Sequence, residues 1–125
     1  MQQARRPTVA VVVDDDDAVR DSLRVLLETA GFHVATFESA SEFLTGAVVQ
    51  DLACVLIDHH MPNMTGLELL EKLRQGSPVL PVALMTGSPS PELSRRAFEI
   101  GVTEMLEKPL QEDLLLAFVA QSFEN

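Results

Sequence analysis

The sequence predicts a doubly wound α/β fold, in which one five-stranded parallel sheet is covered by helices on both faces. Short apolar runs alternate five times with stretches of helical periodicity along the 125 residues. The runs are continuously apolar, as expected of strands buried on both faces. The length, with 46% hydrophobic and 22% charged residues, is that of one globular domain with one core.

The first predicted strand and helix open the chain. Thr8–Val13 is β-branched and apolar, which favours a buried strand. Asp17–Ala30 is predicted to be a helix that ends at Gly31. Its inward face is predicted to carry Val19, Leu23, Leu26, Leu27 and Ala30.

Two short strands and a helix come next. His33–Phe37 is the second predicted strand. Ser39–Glu42 has the spacing of a capping box, which opens a helix that extends to about Gly46. The polar stretch Gly46–Asp51 is predicted to be a loop, and Ala53–Ile57 is the third strand.

The alternation continues after Asp58. A loop that contains Pro62 leads to a second capping box at Thr65, which begins a helix that ends at Gln75. Pro81–Met85 is the fourth predicted strand. The apolar face of this helix is formed by Leu67, Leu70 and Leu73, with Leu69 beside them.

The last three elements complete the pattern. Ser90 is a helix N-cap followed by proline, and this helix extends to Ile100 with Phe98 off its apolar face. Thr103–Glu107 is the fifth strand, and Gln111–Phe123 is the last helix. The predicted apolar positions of these two helices are Leu93, Ala97, Ile100, Leu114, Leu115, Phe118 and Val119.

Composition excludes several classes of function. The net charge of −10, with nine Lys and Arg residues, argues against direct binding of nucleic acid by this domain. No apolar stretch approaches the ~20 residues of a membrane span. Cys54 is the lone cysteine, which fits a reducing cytoplasm. We expect residues 1–7 to be a polar N-terminal tail without a signal peptide, and residues 8–125 to be the domain.

Polar residues whose side chains can bind ligands or take part in reactions stand directly after the predicted strands. Asp14 and Asp15 follow the first, Asp58 the third, Thr86 the fourth and Lys108 the fifth. Ligands bind outside the carboxyl ends of strands in open α/β sheets. If the first and third strands are neighbours, ~4.8 Å apart, one of the early aspartates lies close to Asp58.

Such an acidic cluster requires a neutralising partner. Two carboxylates ~4 Å apart repel by roughly 4 kcal/mol at an effective dielectric of 20. Mg²⁺ suits oxygen ligands that leave room for water and a phosphate, and Lys108 adds a positive charge for that phosphate. With the Thr86 hydroxyl and Asp58 as nucleophile, these parts make a phosphoryl-transfer site. Asp16 and Asp17 are expected to serve the helix N-terminus instead.

The order and spacing of these residues resemble the receiver domain of bacterial two-component response regulators, the CheY-like superfamily. The resemblance covers residues 8–123, and four motifs in order make it specific. The motifs are Val-Val-Asp14-Asp15, Asp58-His-His-Met-Pro62-Asn-Met-Thr-Gly66, Met-Thr86-Gly and Glu-Lys108-Pro109.

The resemblance implies a fold and a role for each acid. The sheet is expected to be flavodoxin-like, with strand order 2-1-3-4-5. Asp58 is the expected phosphoacceptor. Asp14, Asp15 and Asp58 are the expected Mg²⁺ ligands, together with the main-chain carbonyl of His60.

The resemblance also implies a switch. Thr86 is expected to contact the phosphoryl group as the switch hydroxyl, and Lys108 to pair with the phosphate, before a cis peptide bond to Pro109. Met105 stands where the family usually has Phe or Tyr, so a flexible side chain replaces the aromatic partner of the threonine. With Met105, Phe98 is a candidate partner surface.

The expected partners follow from the family. A sensor histidine kinase or a histidine phosphotransfer protein would supply the phosphoryl group. Phosphorylation would switch a surface on the fourth helix, fifth strand and fifth helix toward an output domain, an effector protein or a second copy. The domain would catalyse only its own phosphorylation and slow dephosphorylation, rather than act as an enzyme on other substrates.

Three other functions are alternatives to this one. A degenerate receiver would be a phosphorylation-independent interaction module, which the presence of all the motif residues argues against. A flavin enzyme needs a phosphate-binding loop after the first strand, where Asp14–Asp17 would repel the FMN phosphate. A phosphohydrolase normally has its nucleophile after the first strand and a second aspartate two residues on, where Asp58 is followed by His60.

Overall fold

A sheet of five parallel strands forms the centre of the molecule. The structure, a computed structural model, describes residues 8–124. The strands lie in the order β2-β1-β3-β4-β5, and every neighbouring pair is parallel. Their bounds are β1 Val9–Val13, β2 Val34–Phe37, β3 Leu52–Asp58, β4 Val82–Thr86 and β5 Glu104–Glu107. The predicted fold class and strand order are confirmed, whereas the predicted tail, residues 1–7, lies outside the described residues.

Five helices connect and cover the strands. They are α1 Asp17–Thr29, α2 Ala40–Gly46, α3 Gly66–Gly76, α4 Pro91–Ile100 and α5 Glu112–Glu124. The Asp16 carboxylate caps α1, and Ser90 caps α4 ahead of the predicted proline. The capping box of α3 is complete, because Thr65 and Glu68 each accept a hydrogen bond from the other's amide.

The structure corrects four local predictions. Val49–Asp51, within the predicted loop, forms a 3-10 turn. The Ser39 hydroxyl caps α2, but the capping box is incomplete because the Glu42 carboxylate accepts from the amide of Glu38 instead of Ser39. Two predicted inward residues are exposed: Ala30, the C-cap of α1, and Leu114, at 51%.

The core lies on both faces of the sheet. One face packs against α2, α3 and α4, and the other against α1 and α5. Alternate residues of one strand serve opposite faces, so Val55 and Ile57 contact the first set of helices while Leu56 contacts the second. Two-sided burial explains why the strands are continuously apolar. Among residues 8–124, no helix is long and apolar enough to cross a bilayer.

Candidate functional site

The predicted site residues meet at the carboxyl ends of four adjacent strands, β1, β3, β4 and β5. Asp14 directly follows β1, Asp58 and Thr86 are the last residues of β3 and β4, and Lys108 directly follows β5. The strands are in parallel register, with Val13 opposite Ile57 and Asp58 opposite Met85. The site is therefore a consequence of strand order and register, as the sequence predicted.

Three carboxylates form the centre of this site. Asp14, Asp15 and Asp58 each offer one oxygen, and these oxygens all lie within 4.8 Å of one another. Asp14 is 0% and Asp58 4% exposed, whereas Asp15 is open to solvent. An oxygen-only donor set with one solvent-facing member suits a hard divalent cation that keeps some of its waters.

Lys108 bridges the two buried acids. Its ammonium nitrogen lies 2.9 Å from Oδ2 of Asp14 and 3.1 Å from Oδ1 of Asp58. The Lys108–Pro109 peptide bond is cis, as expected. One ammonium offsets part of the charge of three carboxylates, so an ionised cluster still carries excess negative charge.

The titration of the site reflects this imbalance. Burial raises the pKa of the Asp58 carboxyl, the nearby Asp14 charge raises it further, and Lys108 opposes both without cancelling them. Burial lowers the pKa of the Lys108 ammonium, but hydrogen bonds and charge attraction from Asp14 and Asp58 leave that pKa above its usual value. Binding of a proton or a cation at this site is therefore electrostatically favourable.

Helix α1 holds Asp14 in place. Its Oδ1 accepts a hydrogen bond from the Asp16 amide at 3.0 Å, and its main-chain oxygen accepts one from Arg20 at 2.5 Å. Arg20 also pairs with the Asp17 carboxylate. Arg20 was not among the residues predicted for the site, although a cation one helical turn after the acidic run was an available signal.

The loop after β3 is anchored by its backbone. His59 donates its amide to the carbonyl of Met85 at 2.9 Å, and its own carbonyl accepts from the amide of Gly66 at 3.0 Å. A Cβ on Gly66 would lie 2.6 Å from the main-chain oxygen of Asp58. A glycine is therefore required where this loop folds back against the phosphoacceptor candidate.

The Thr86 hydroxyl is engaged on two sides. Nε2 of His60 lies 3.1 Å from Oγ1 of Thr86, and the Ser88 amide donates to the same oxygen at 3.0 Å. Thr86 is 1% exposed, whereas the His60 side chain is on the surface. The metal role expected of the main-chain carbonyl of His60 stays a prediction, and the contact of its side chain with Thr86 was not predicted.

Besides Thr86, the predicted switch and partner surface includes Met105 and Phe98, which lie outside the acidic cluster. Met105 is paired with Leu84 in the sheet and packs partly against the core beneath α4. Phe98, near the end of α4, is 56% exposed, as its place off the apolar face indicated. Their joint partner surface stays a prediction.

Comparisons with known proteins agree on one family. A family model described as the response regulator receiver domain matches residues 10–120. The transcriptional regulatory protein FixJ of Bradyrhizobium diazoefficiens is 39% identical over 108 residues, which cover 86% of this chain and 53% of that protein. The chain thus spans about half the length of this relative.

Solved structures show the same architecture. The chemotaxis protein CheY4 of Vibrio cholerae has a TM-score of 0.85 at 28% identity, covering 94% of this chain and 99% of that one. The structure of FixJ-N has a TM-score of 0.83 at 28% identity, covering 97% of both chains.

Proposed function

The chain belongs to the response regulator receiver domain family, the phosphoacceptor modules of two-component signalling, and we propose that Asp58 is the residue that accepts the phosphoryl group. One observation carries this assignment: Asp58 shares a pocket with Asp14 and Asp15, and Lys108 bridges two of these acids. A phosphorylation-independent module has no use for buried, mutually repelling carboxylates. The family and the cluster together disfavour that alternative.

We propose that Mg²⁺ is the cation of this site. Asp14, Asp15 and Asp58 would hold it, with the main-chain carbonyl of His60 as a further ligand. The oxygen-only donor set and the excess negative charge fit this ion, and the exposed Asp15 side leaves room for water. When bound, Mg²⁺ neutralises charge on the transferring phosphoryl group.

The transfer itself needs few residues. A carboxylate oxygen of Asp58 attacks phosphorus, and the new O–P bond replaces the N–P bond of a phosphohistidine donor. The electron pair of that broken bond leaves with the donor imidazole. Lys108 then pairs with the phosphoryl oxygens, and the Thr86 hydroxyl donates a hydrogen bond to one of them.

The decisive test uses a small phosphodonor. Wild-type protein incubated with acetyl phosphate and Mg²⁺ should gain the mass of one phosphoryl group, and the gain should disappear on adding EDTA. Asp58→Asn should show no gain under the same conditions. A wild type that gains no phosphoryl mass would favour the alternative, a phosphorylation-independent interaction module.

We also propose that the domain turns over no external substrate beyond its own phosphodonor. Its nucleophile is followed two residues later by His60, where an aspartate acid/base is expected of a phosphohydrolase. A simple phosphomonoester such as p-nitrophenyl phosphate should therefore release no phosphate over many equivalents of protein. Sustained release would identify an enzyme.

We propose that the physiological donor is a histidine kinase or a histidine phosphotransfer protein, acting in the cytoplasm. A cleft of about 360 Å³ lies between α1 and the segment after β5, beside Lys108. Half-buried apolar side chains line it, among them Val19, Leu26 and Leu110. Such a surface suits an apolar helix face that carries the phosphohistidine.

A charged side chain introduced into this cleft should impair docking of a protein donor and leave the reaction at Asp58 unaffected. Val19→Glu should slow phosphoryl transfer from a phosphotransfer protein by about tenfold, as expected for ~1.4 kcal/mol of lost docking. The same variant should react with acetyl phosphate as the wild type does. Equal transfer rates for both proteins would place the docking surface elsewhere.

A further inference from the structure

The contact between His60 and Thr86 has no part in the phosphoryl-transfer chemistry described above. The two residues are 26 positions apart, and they meet because the loop after β3 passes over the end of β4. The His60 ring lies on the surface, while the threonine it contacts is 1% exposed. An exposed ring therefore engages the one hydroxyl that the phosphoryl group also needs.

The other hydrogen bond of the Thr86 hydroxyl favours one direction for its contact with His60. A threonine hydroxyl has one proton to donate and two lone pairs that accept. The Ser88 amide is a donor, so it occupies one lone pair and leaves the proton and the second lone pair available. Among the hydrogen bonds of residues 8–124, Nε2 of His60 is the one partner of this oxygen that can accept that proton, and it does so in the tautomer that carries its hydrogen on Nδ1. A buried hydroxyl proton without an acceptor is unfavourable.

We propose that His60 is a positioning residue that accepts the Thr86 hydroxyl proton in the unphosphorylated domain and thereby competes with the phosphoryl group for that hydroxyl. The inference rests on the proposed function, because the competitor is the phosphoryl oxygen on Asp58. Phosphorylation has to break the His60–Thr86 bond, after which the exposed ring turns into solvent. The resting state is stabilised by the contact, and the phosphorylated state is correspondingly disfavoured.

A double-mutant cycle with a phosphoryl mimic tests the competition. Beryllofluoride with Mg²⁺ is titrated into the wild type, His60→Ala, Thr86→Val and the double variant, and binding is followed by the amide NMR signals of Gly87 and Ser88. His60→Ala should bind several-fold more tightly than the wild type, because a net hydrogen bond no longer has to break. In the Thr86→Val background, the same His60 substitution should leave the affinity unchanged.

Two outcomes of that cycle would overturn the proposal. One is an unchanged affinity for His60→Ala, and the other is an equal gain with and without the Thr86 hydroxyl. His33→Ala, which removes an exposed histidine before β2, is the matched control and should bind as the wild type does. His60→Gln keeps a side-chain acceptor and should return part of the way to the wild-type affinity.

A readout without the mimic keeps the inference separate from the proposed function. In resting wild-type protein, ¹⁵N spectra of the His60 ring should show Nδ1 carrying the proton and Nε2 accepting a hydrogen bond. That signature should be lost in Thr86→Val. A ring with its proton on Nε2 would overturn the inference, even if Asp58 is phosphorylated normally. If the ring shows the expected signature but the wild type cannot be phosphorylated on Asp58, the proposed function is wrong and the His60–Thr86 hydrogen bond stands.

Discussion

In the neighbouring strands β1 and β3, the middle of each strand and its carboxyl end are similarly buried, but the middle is apolar and the end is acidic. Val12 in β1 and Leu56 in β3 are 0% exposed, and so is Asp14 immediately after β1, while Asp58 at the end of β3 is 4% exposed. The apolar bodies gain free energy from burial. The acidic ends lose it, because their charges are desolvated and repel one another.

This difference separates the residues that stabilise the fold from those that we propose perform the chemistry. The sheet body is strong enough to hold carboxylates together in a geometry that they would otherwise leave. Active sites commonly use stability supplied elsewhere in this way. Substitutions in the body should therefore lower stability, whereas removing one acid at the end should raise it.

The largest expected effect comes from the strand body. Leu56→Ala removes a fully buried side chain between β3 and the helices α1 and α5, so the free energy of unfolding should fall by about 3 kcal/mol. Urea unfolding measures this change. Val79→Ala, at a residue 90% exposed, is the control and should stay within about 0.5 kcal/mol of wild type. Similar losses for both variants would contradict the assignment of the core.

Magnesium should reverse the unfavourable electrostatics of the acidic end. Binding to the folded state alone should raise the free energy of unfolding by about 2.7 kcal/mol when free Mg²⁺ is 100 times its dissociation constant. Thermal unfolding in a Mg²⁺ titration measures it. Asp15→Asn alters the exposed member of the cluster and should weaken this response without disturbing the core. A response that is the same in both proteins would place the ion elsewhere.

Removing the bridging cation should destabilise the metal-free protein. Lys108→Met leaves Asp14 and Asp58 facing each other, and breaking a buried ion pair from one side costs ~3–5 kcal/mol. The Lys108 side chain is 25% exposed, so we expect about 2 kcal/mol after discounting for solvent. Urea unfolding in EDTA is the measurement. An unchanged unfolding free energy would mean that the two acids do not repel in the folded state.

Removing one acid should have the smallest effect and the opposite sign. Asp58→Asn should raise the free energy of unfolding of the metal-free protein by about 1 kcal/mol while abolishing phosphorylation. The pKa of Asp58 is raised in the folded state above its ordinary 3.8, so the folded protein binds more protons than the unfolded chain between the two pKa values. Wild-type stability should therefore fall relative to Asp58→Asn as pH rises through that window.

The pH dependence of the stability difference between Asp58→Asn and the wild type distinguishes an electrostatic cause from a packing effect. The advantage of Asp58→Asn should be absent below the ordinary aspartate pKa and should reach its full size above the raised folded pKa of Asp58. Thermal unfolding of both proteins in EDTA across this range measures it. An advantage that does not vary with pH would mean that the amide improves packing and that charge has no part.

The sequence by itself determined the elements of the fold and the residues of the candidate site. Strands buried on both faces must be continuously apolar, which made β1, β3 and β4 visible, and caps such as Ser90 marked helix starts through local hydrogen bonds. The aspartates, Thr86 and Lys108 were recognisable because each stands at a strand end. Strand order came only from the resemblance to receiver domains, since no local pattern encodes it.

The tertiary structure alone decided the contacts between these residues. Lys108 bonds Asp14 across 94 positions and His60 bonds Thr86 across 26, and neither partner was predicted. The exposure of Leu114 was likewise set by what packs against α5. The physical reason is one of range: apolar periodicity and capping act within a few residues, whereas these hydrogen bonds depend on side-chain positions that only the packed sheet defines.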